Sequence, residues 1–325
     1  MPKITVHEYK ENQRDEWEDF VSNSNNGTMF HNQSFLDYHE KGKFNFHHLM
    51  FRDSDELVGI MPGGLQDNGS VFWSPIGASY GSIVTKDIPF NLALDIFDSF
   101  LDYSREHNYR ELYLIPPPLI YSHVYNQHVE YAMLYRKADF ELHYISHAVP
   151  LTKGNYFNNI DAKARRIIRK IIREDKIKVV ESTDYEAFYP ILEKNKAKFN
   201  VKPTHSLRDL YNLQELMPEN LKLFLAYHEA KPIAGSLLFL ANKKVALCFY
   251  IMLLYEYNHL HPAFIVQSES IRWAQENGYE WFDIGVSQDT TAEDPMAPAQ
   301  SLIYFKERFN ARGILRSTYH FKLQD

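Results

Sequence analysis

One plan is used twice along this chain of 325 residues, and the repeat constrains the fold more than any other feature. HHLMFR (47–52) reads as a strand, Asp53 to Glu56 as a turn and Leu57 to Met61 as the returning strand. LKLFLAYH (221–228), Glu229 to Pro232 and Ile233 to Leu237 have the same form, with Gly59 and Gly235 in the same place. A further strand follows in each copy, Ser70 to Trp73 and Val245 to Leu254, and then a helix. The first helix is expected from Pro89 to His107, where Ala93, Ile96, Phe97, Phe100 and Leu101 form a helical stripe. The second opens at Pro262, a residue suited to the first helical position, and runs to about Asn277. Asn108 and Gly278, two residue types that tolerate the left-handed conformation closing a helix, occupy matching positions. Matching strands YRELYLI (109–115) and YEWFDIG (279–285) come next. LYRKADF then ELHYISHAVPL, and LIYFKERF then GILRSTYHFKL, close the copies as short helix and strand. The expected class is mixed α/β, with two tandem modules spanning 1–152 and 153–325. Each is a largely antiparallel mixed sheet with flanking helices.

Composition bounds the setting. Apolar residues make up 45% of the chain, and 22 Phe, 22 Tyr and 4 Trp supply enough buried surface for two cores, so a disordered chain is excluded. Cys248 is the single cysteine, which rules out an intrachain disulfide scaffold. The longest unbroken apolar run, Val245 to Tyr255, is 11 residues, too short for a membrane span and right for a buried strand. The charged N-terminus MPKITVHEYKENQRDEW has no apolar signal core, and a cytoplasmic location is expected.

The net charge of −7 argues against a DNA-binding protein. Asp161 to Lys178 reverses that sign, with eight Lys or Arg against three acids, which leaves the rest of the chain at −12. Within this segment Ala164, Ile167, Ile168, Ile171 and Ile172 trace an apolar stripe flanked by Arg165, Arg166, Arg169, Lys170 and Arg173. The segment is either an anion site or a solvated helix face. Histidines do not group at metal spacing. His143 and His147 are four apart, but on a segment that alternates like a strand, and His47-His48 and His259/His261 lack a cysteine or carboxylate partner at ligand spacing. No metal is expected, and there is no Walker loop, dinucleotide fingerprint or nucleophile elbow.

The order of elements resembles the N-acyltransferase fold of the GNAT superfamily, and the doubling resembles its FemAB-like and BioF2-like branch. The resemblance rests on an ordered set: MFHNQSFLDYH (29–39), ASYGSIV (78–84), ARRIIRKIIREDKIKVV (164–180), Gly235, and GYEWFDIG (278–285) followed by YFKERFNA (304–311). It departs from the family at Asn310, where the closing turn has glycine, and at Tyr255 to Pro262, which contains no glycine where acetyl-CoA-dependent members cradle the pyrophosphate. The helices are also too short for the coiled-coil arm of the FemAB transferases.

The resemblance implies an N-acyltransferase moving an acyl or aminoacyl group onto an amine of a sugar or peptide precursor in cell-envelope or polysaccharide metabolism. The donor would be acyl-CoA or aminoacyl-tRNA, and the acceptor a precursor carrying an amine and a phosphate; the acidic charge and the missing arm argue against a full tRNA. The first module would bind the acceptor and the second would be catalytic. Lys306 stands where the family places a cation that could pair with phosphate or developing negative charge, although a surface lysine of an amphipathic helix reads the same. Asp283 is either a proton acceptor or a structural acceptor for backbone donors, and Tyr250 and Tyr304 either position substrate or fill core. Arg166, Arg169 and Lys170 match the family helix as phosphate binders, and His261 beside the Pro262 helix start could act as base or donor. The alternative is a non-catalytic module of this fold that binds an anionic glycoconjugate or nucleotide-sugar.

Overall fold

The computed structural model describes residues 4–323, except 153, 199 and 290. The chain divides into two units, residues 1–143 with 315–325, and residues 144–314. The expected boundary after residue 152 therefore falls nine residues late, and the last strand leaves the second unit.

The first unit contains β1 (Thr5–Glu8), α1 (Arg14–Asn23), α2 (Gln33–Leu36), β2 (Leu49–Asp53), β3 (Glu56–Met61), β4 (Gly64–Gln66), β5 (Val71–Ser74), α3 (Phe90–Glu106), β6 (Glu111–Leu114) and α4 (His128–Tyr135). β7 (Asp139–Pro150) carries the chain into the second unit. There follow α5 (Tyr156–Asn159), α6 (Ala162–Glu174), β8 (Ile177–Ser182), α7 (Tyr185–Ala197), α8 (Leu207–Leu216), β9 (Leu221–His228), β10 (Lys231–Leu240), β11 (Val245–Leu253), α9 (Pro262–Glu276), β12 (Trp281–Val286) and α10 (Gln300–Glu307). β13 (Arg312–Lys322) returns to the first unit.

The hairpin, the parallel pair and the helix between its strands are present in both copies, whereas the single β10 of the second stands against two shorter strands, β3 and β4, in the first. β2–β3 and β9–β10 are antiparallel hairpins, and β5–β6 and β11–β12 are the parallel pairs bridged by α3 and α9. Asn108 (φ 58°) and Gly278 (φ 82°) both close their helices in the left-handed region. The closing strands are exchanged between units, since β7 pairs antiparallel with β12 and β13 pairs antiparallel with β6. Strand pairing is non-local, so the sequence order of the repeat does not reveal which sheet its last strand joins.

Each unit has its own core. In the first, Phe51, Phe72, Leu112 and Leu114 of the strands meet Ile96, Phe97 and Phe100 of α3 and Val129 and Met133 of α4. In the second, Ala164, Ile168 and Ile171 of α6 and Ile265, Val266 and Ile271 of α9 cover Ala234, Leu238, Ala246 and Cys248 of the sheet. Each fully buried aliphatic side chain contributes about 1.5–3 kcal/mol.

Candidate active site

The two parallel pairs, equivalent in the repeat, end differently. β5 and β6 pair along Val71↔Glu111 to Ser74↔Leu114, and Ile115 N donates to Ser74 O at 2.7 Å, so they stay zipped. β11 and β12 pair only at Val245↔Trp281, Ala246↔Phe282 and Leu247↔Asp283. Beyond Leu247 both strands carry an extra residue. On β11, Cys248 pairs with Leu238 and Tyr250 with Leu237, which leaves Phe249 as a bulge. On β12, Asp283 pairs with Ala148 and Val286 with Ser146, and Gly285 takes φ 75° to make the step. A bulge bends and twists its strand, and with one on each strand the β11–β12 pairing opens beyond Leu247↔Asp283. Gly285 corresponds to Ile115 in the first copy, which cannot take that conformation cheaply.

Buried polar groups surround this opening. Asp283 is fully buried, and its Oδ1 accepts from Ser146 Oγ and from Gly285 N, both at 2.7 Å. Lys306 on α10 is 2% exposed, and its Nζ donates to Gly285 O and Val286 O at 2.7 Å and to Ser287 Oγ at 2.9 Å. An ammonium has three donors, so all three are used to hold the end of β12. Burial brings the Lys306 pKa down to about 8, with Asp283 opposing the shift. Ser287 also meets His147 Nδ1 at 2.9 Å, and burial together with the nearby Lys306 charge lowers the His147 pKa. On the β11 side, Cys248 Sγ lies 3.4 Å from Ser236 Oγ and 3.8 Å from Gln267 Oε1, and burial pushes its thiol up to about 12. Gln267 Nε2 is buried and has no hydrogen-bond partner among the described residues.

The expected site residues are thus only partly brought together. Lys306 and Asp283 meet at the opening. Lys306 is neither a surface lysine nor open to a phosphate, because its donors are spent on protein oxygens. Tyr250 is buried but points to the opposite face of the sheet, since the Phe249 bulge inverts the alternation: its hydroxyl is held by His205 N at 3.3 Å and His205 Nδ1 at 3.0 Å, and its ring packs on Phe188 of α7. Burial pushes the Tyr250 phenol up to about 12, which fits a packed, bonded hydroxyl rather than a proton donor. Tyr304 is 56% exposed on the outer face of α10, stacked under Arg308 and away from Lys306. Two residues on a helix are about 200° apart, which is why they separate.

A second feature of this unit is a groove of about 810 Å³ between α6 and the turn before α9. It is lined by Arg165, Arg166, Arg169, Lys170, Arg173 and Lys176 on one side and His259 and His261 on the other. Arg166, Arg169, Lys170 and Arg173 are spaced i, i+3, i+4, i+7, one face of the helix. Arg166 and Arg173 have no carboxylate partner among the described residues, whereas Lys170 and Lys176 each lie 3.7 Å from Glu174. Arg166, Arg169, Lys170 and His261 therefore do come together. His261 itself takes φ 55°, so a histidine supplies the left-handed turn at the position where the sequence has no glycine. Asn310 does the same at φ 64° for the missing glycine of the closing turn. No group of three or more His, Cys, Asp or Glu able to hold a metal is present among the described residues. No helix among them is long and apolar enough to cross a membrane.

Sequence reasoning missed Ser287, Ser146, Gln267 and the bulge at Phe249. The contrast of Asp283 and Gly285 with Tyr113 and Ile115 in the first copy was the available signal.

Residues 158–293 match the acetyltransferase (GNAT) domain family. The second unit thus carries a match to a GNAT acetyltransferase domain. Solved structures share the fold over nearly the whole chain. FemX superposes with a TM-score of 0.71 at 11% identity, covering 98% of this chain and 97% of that one. A tandem GNAT protein from the clavulanic acid biosynthesis pathway gives 0.57 at 9%, covering 99% and 100%. L-PGS from Bacillus licheniformis gives 0.59 at 9%, covering 95% and 91%. At these identities the likeness is one of fold. No curated protein matches the sequence.

Proposed function

We propose that the protein transfers an acyl or aminoacyl group onto the amine of a phosphate-bearing sugar or peptide precursor of cell-envelope or polysaccharide metabolism, in the cytoplasm. The observation that carries this reading is the opening of β11 from β12 in the second unit alone. Such an opening presents unpaired strand backbone to an acyl donor, and the buried Lys306 charge at its wall favours the oxyanion that forms as the amine attacks. Acyl transfer needs those two features and a place where water is excluded. The basic groove suits the phosphates of donor or acceptor, whether acyl-CoA, the acceptor end of an aminoacyl-tRNA or a nucleotide-linked precursor. The first unit, whose parallel pair stays closed, is assigned to acceptor binding.

The test is a transfer assay pairing acyl-CoAs and charged tRNA with amine acceptors, among them nucleotide-linked amino sugars. Release of the donor's leaving group that depends on acceptor is expected. Lys306→Met, which removes the buried charge, is expected to lower kcat/KM by at least about 100-fold, the usual size of a lost preorganised electrostatic contribution, with an unchanged circular-dichroism spectrum. Combined Arg166→Ala and Arg173→Ala is expected to raise KM by about tenfold for each lost charge-assisted contact, with a weaker salt dependence. Tight binding of a nucleotide-sugar with no turnover for any pair would favour the binding-only alternative.

A further inference from the structure

Gln267 of α9 is fully buried in the second unit, and its Nε2 is a donor left without a hydrogen-bond partner among the described residues. Buried polar groups are nearly always bonded, so an amide of this kind needs a reason. Its position supplies one. Gln267 Oε1 lies 3.8 Å from Cys248 Sγ, and Cys248 follows Leu247, the last β11 residue paired with β12. A Cβ on Gly285 would stand 4.0 Å from Cys248 O, so Cys248 and Gly285 face each other where the pairing ends. The Gln267 amide therefore stands at the inner end of the opening. Lys306, at the same opening, has no donor left for a ligand, since Gly285 O, Val286 O and Ser287 Oγ take all three.

The repeat contains its own control. Helices α3 and α9 end at Glu106 and Glu276 and close at Asn108 and Gly278, which sets Gln267 at the place of Phe97 in the first copy. Phe97 is fully buried in the first core, in the copy whose parallel pair stays zipped. A polar side chain with a spare N–H thus stands in the copy that opens, and an aromatic ring in the copy that does not. Helix α9 also joins the opening to the basic groove. His261, the residue before the helix start at Pro262, lines the groove. Gln267 is a little over one turn beyond Pro262, about 7.5 Å along the axis. A donor held in the groove by its phosphates thus has Gln267 within reach of its acyl end.

We propose that Gln267 recognises the acyl donor, its Nε2 donating a hydrogen bond to a carbonyl oxygen of the donor lodged at the inner end of the opening. This deepens the acyl-transfer reading above and rests on it. Both donor classes carry such an oxygen: the acyl carbonyl of an aminoacyl ester, and the thioester or amide carbonyls of an acyl-CoA. An N–H with no partner in the free protein gains a bond on binding without giving one up.

Stability and activity are expected to part company in the variants. Gln267→Met keeps the shape of the side chain and removes the N–H. Its urea midpoint without ligand is expected to equal or exceed that of the wild type, because replacing an unsatisfied buried amide by an apolar group is neutral or stabilising. Its kcat/KM is expected to fall at least about tenfold, the size of one lost hydrogen bond, and Gln267→Leu is expected to behave alike. A lowered midpoint in both variants would make Gln267 a structural amide, and an unchanged kcat/KM would leave it no contact with the donor; either result overturns the proposal. Nitrogen-15 NMR of the side-chain amides reads the contact without turnover, the Gln267 pair being identified by its loss in Gln267→Met. That pair is expected to shift on adding acetyl-CoA or an aminoacyl-adenosine, whichever matches the donor class that is turned over, and this separates the two sources. A wild type that transfers from no donor to any acceptor sinks the acyl-transfer reading, whereas a Gln267 pair unmoved by a donor that is turned over sinks the Gln267 contact alone.

Discussion

Gly235 and Gly59 occupy the same place in the repeat for different physical reasons. A Cβ on Gly235 would meet the Phe188 ring at 2.6 Å, because α7 packs against the hairpin there. A Cβ on Gly59 would make only ordinary contact, 3.4 Å from Val84 O. Gly235→Ala is therefore expected to cost about 1–3 kcal/mol, the usual range for overpacking, and Gly59→Ala less than about 1 kcal/mol, as read by urea unfolding. The residues of the site were unevenly legible at this scale. Lys306 and Asp283 stood out through the family signature, and Arg166, Arg169, Lys170 and His261 through local charge and a helix start. Ser287 carried no signal, because a serine becomes part of a site only through what folds against it. Tyr250 was misdirected by one inserted residue, Phe249, which inverts the face of the strand without leaving a mark in its apolar composition.

At the scale of elements, α6 unites a structural and a functional role. Its buried stripe of Ala164, Ile168 and Ile171 docks on the second core, and this holds the opposite, arginine-rich face in the groove. Its start is set by Asp161, whose Oδ1 accepts from Lys163 N at 2.9 Å and Ala164 N at 3.1 Å. Those bonds hold the Asp161 carboxyl below its usual range. Asp161→Ala is expected to fray the first turn, which would be seen as faster amide exchange at Lys163 and Ala164. The helix ends at Asp175, which takes φ 49°. Its apolar and basic faces were readable from spacing, since a helix is a local structure. What the groove faces, the turn with His259 and His261, comes from 90 residues further along and was not.

For the whole molecule, the exchanged strands matter most. β13 adds Tyr319 and Phe321 to the first core, with Phe321 5.2 Å from Phe97, and pairs with all of β6. Losing two buried aromatic side chains at about 1.5–3 kcal/mol each removes much of the 5–15 kcal/mol that keeps a domain folded. A chain ending at residue 314 is therefore expected to lose the cooperative unfolding of its first unit, as followed by calorimetry, although all of residues 1–143 are present.

The sequence by itself determined the two-copy plan, the identity of most helices and strands and the basic face of α6, because these depend on periodicity, turn chemistry and short-range order. Only the tertiary structure decided which parallel pair opens, which way Tyr250 and Tyr304 point, where β7 and β13 pair, and how Ser287 and His147 meet Lys306. Those outcomes depend on bulges and on contacts between segments more than a hundred residues apart, and a linear pattern carries no record of either.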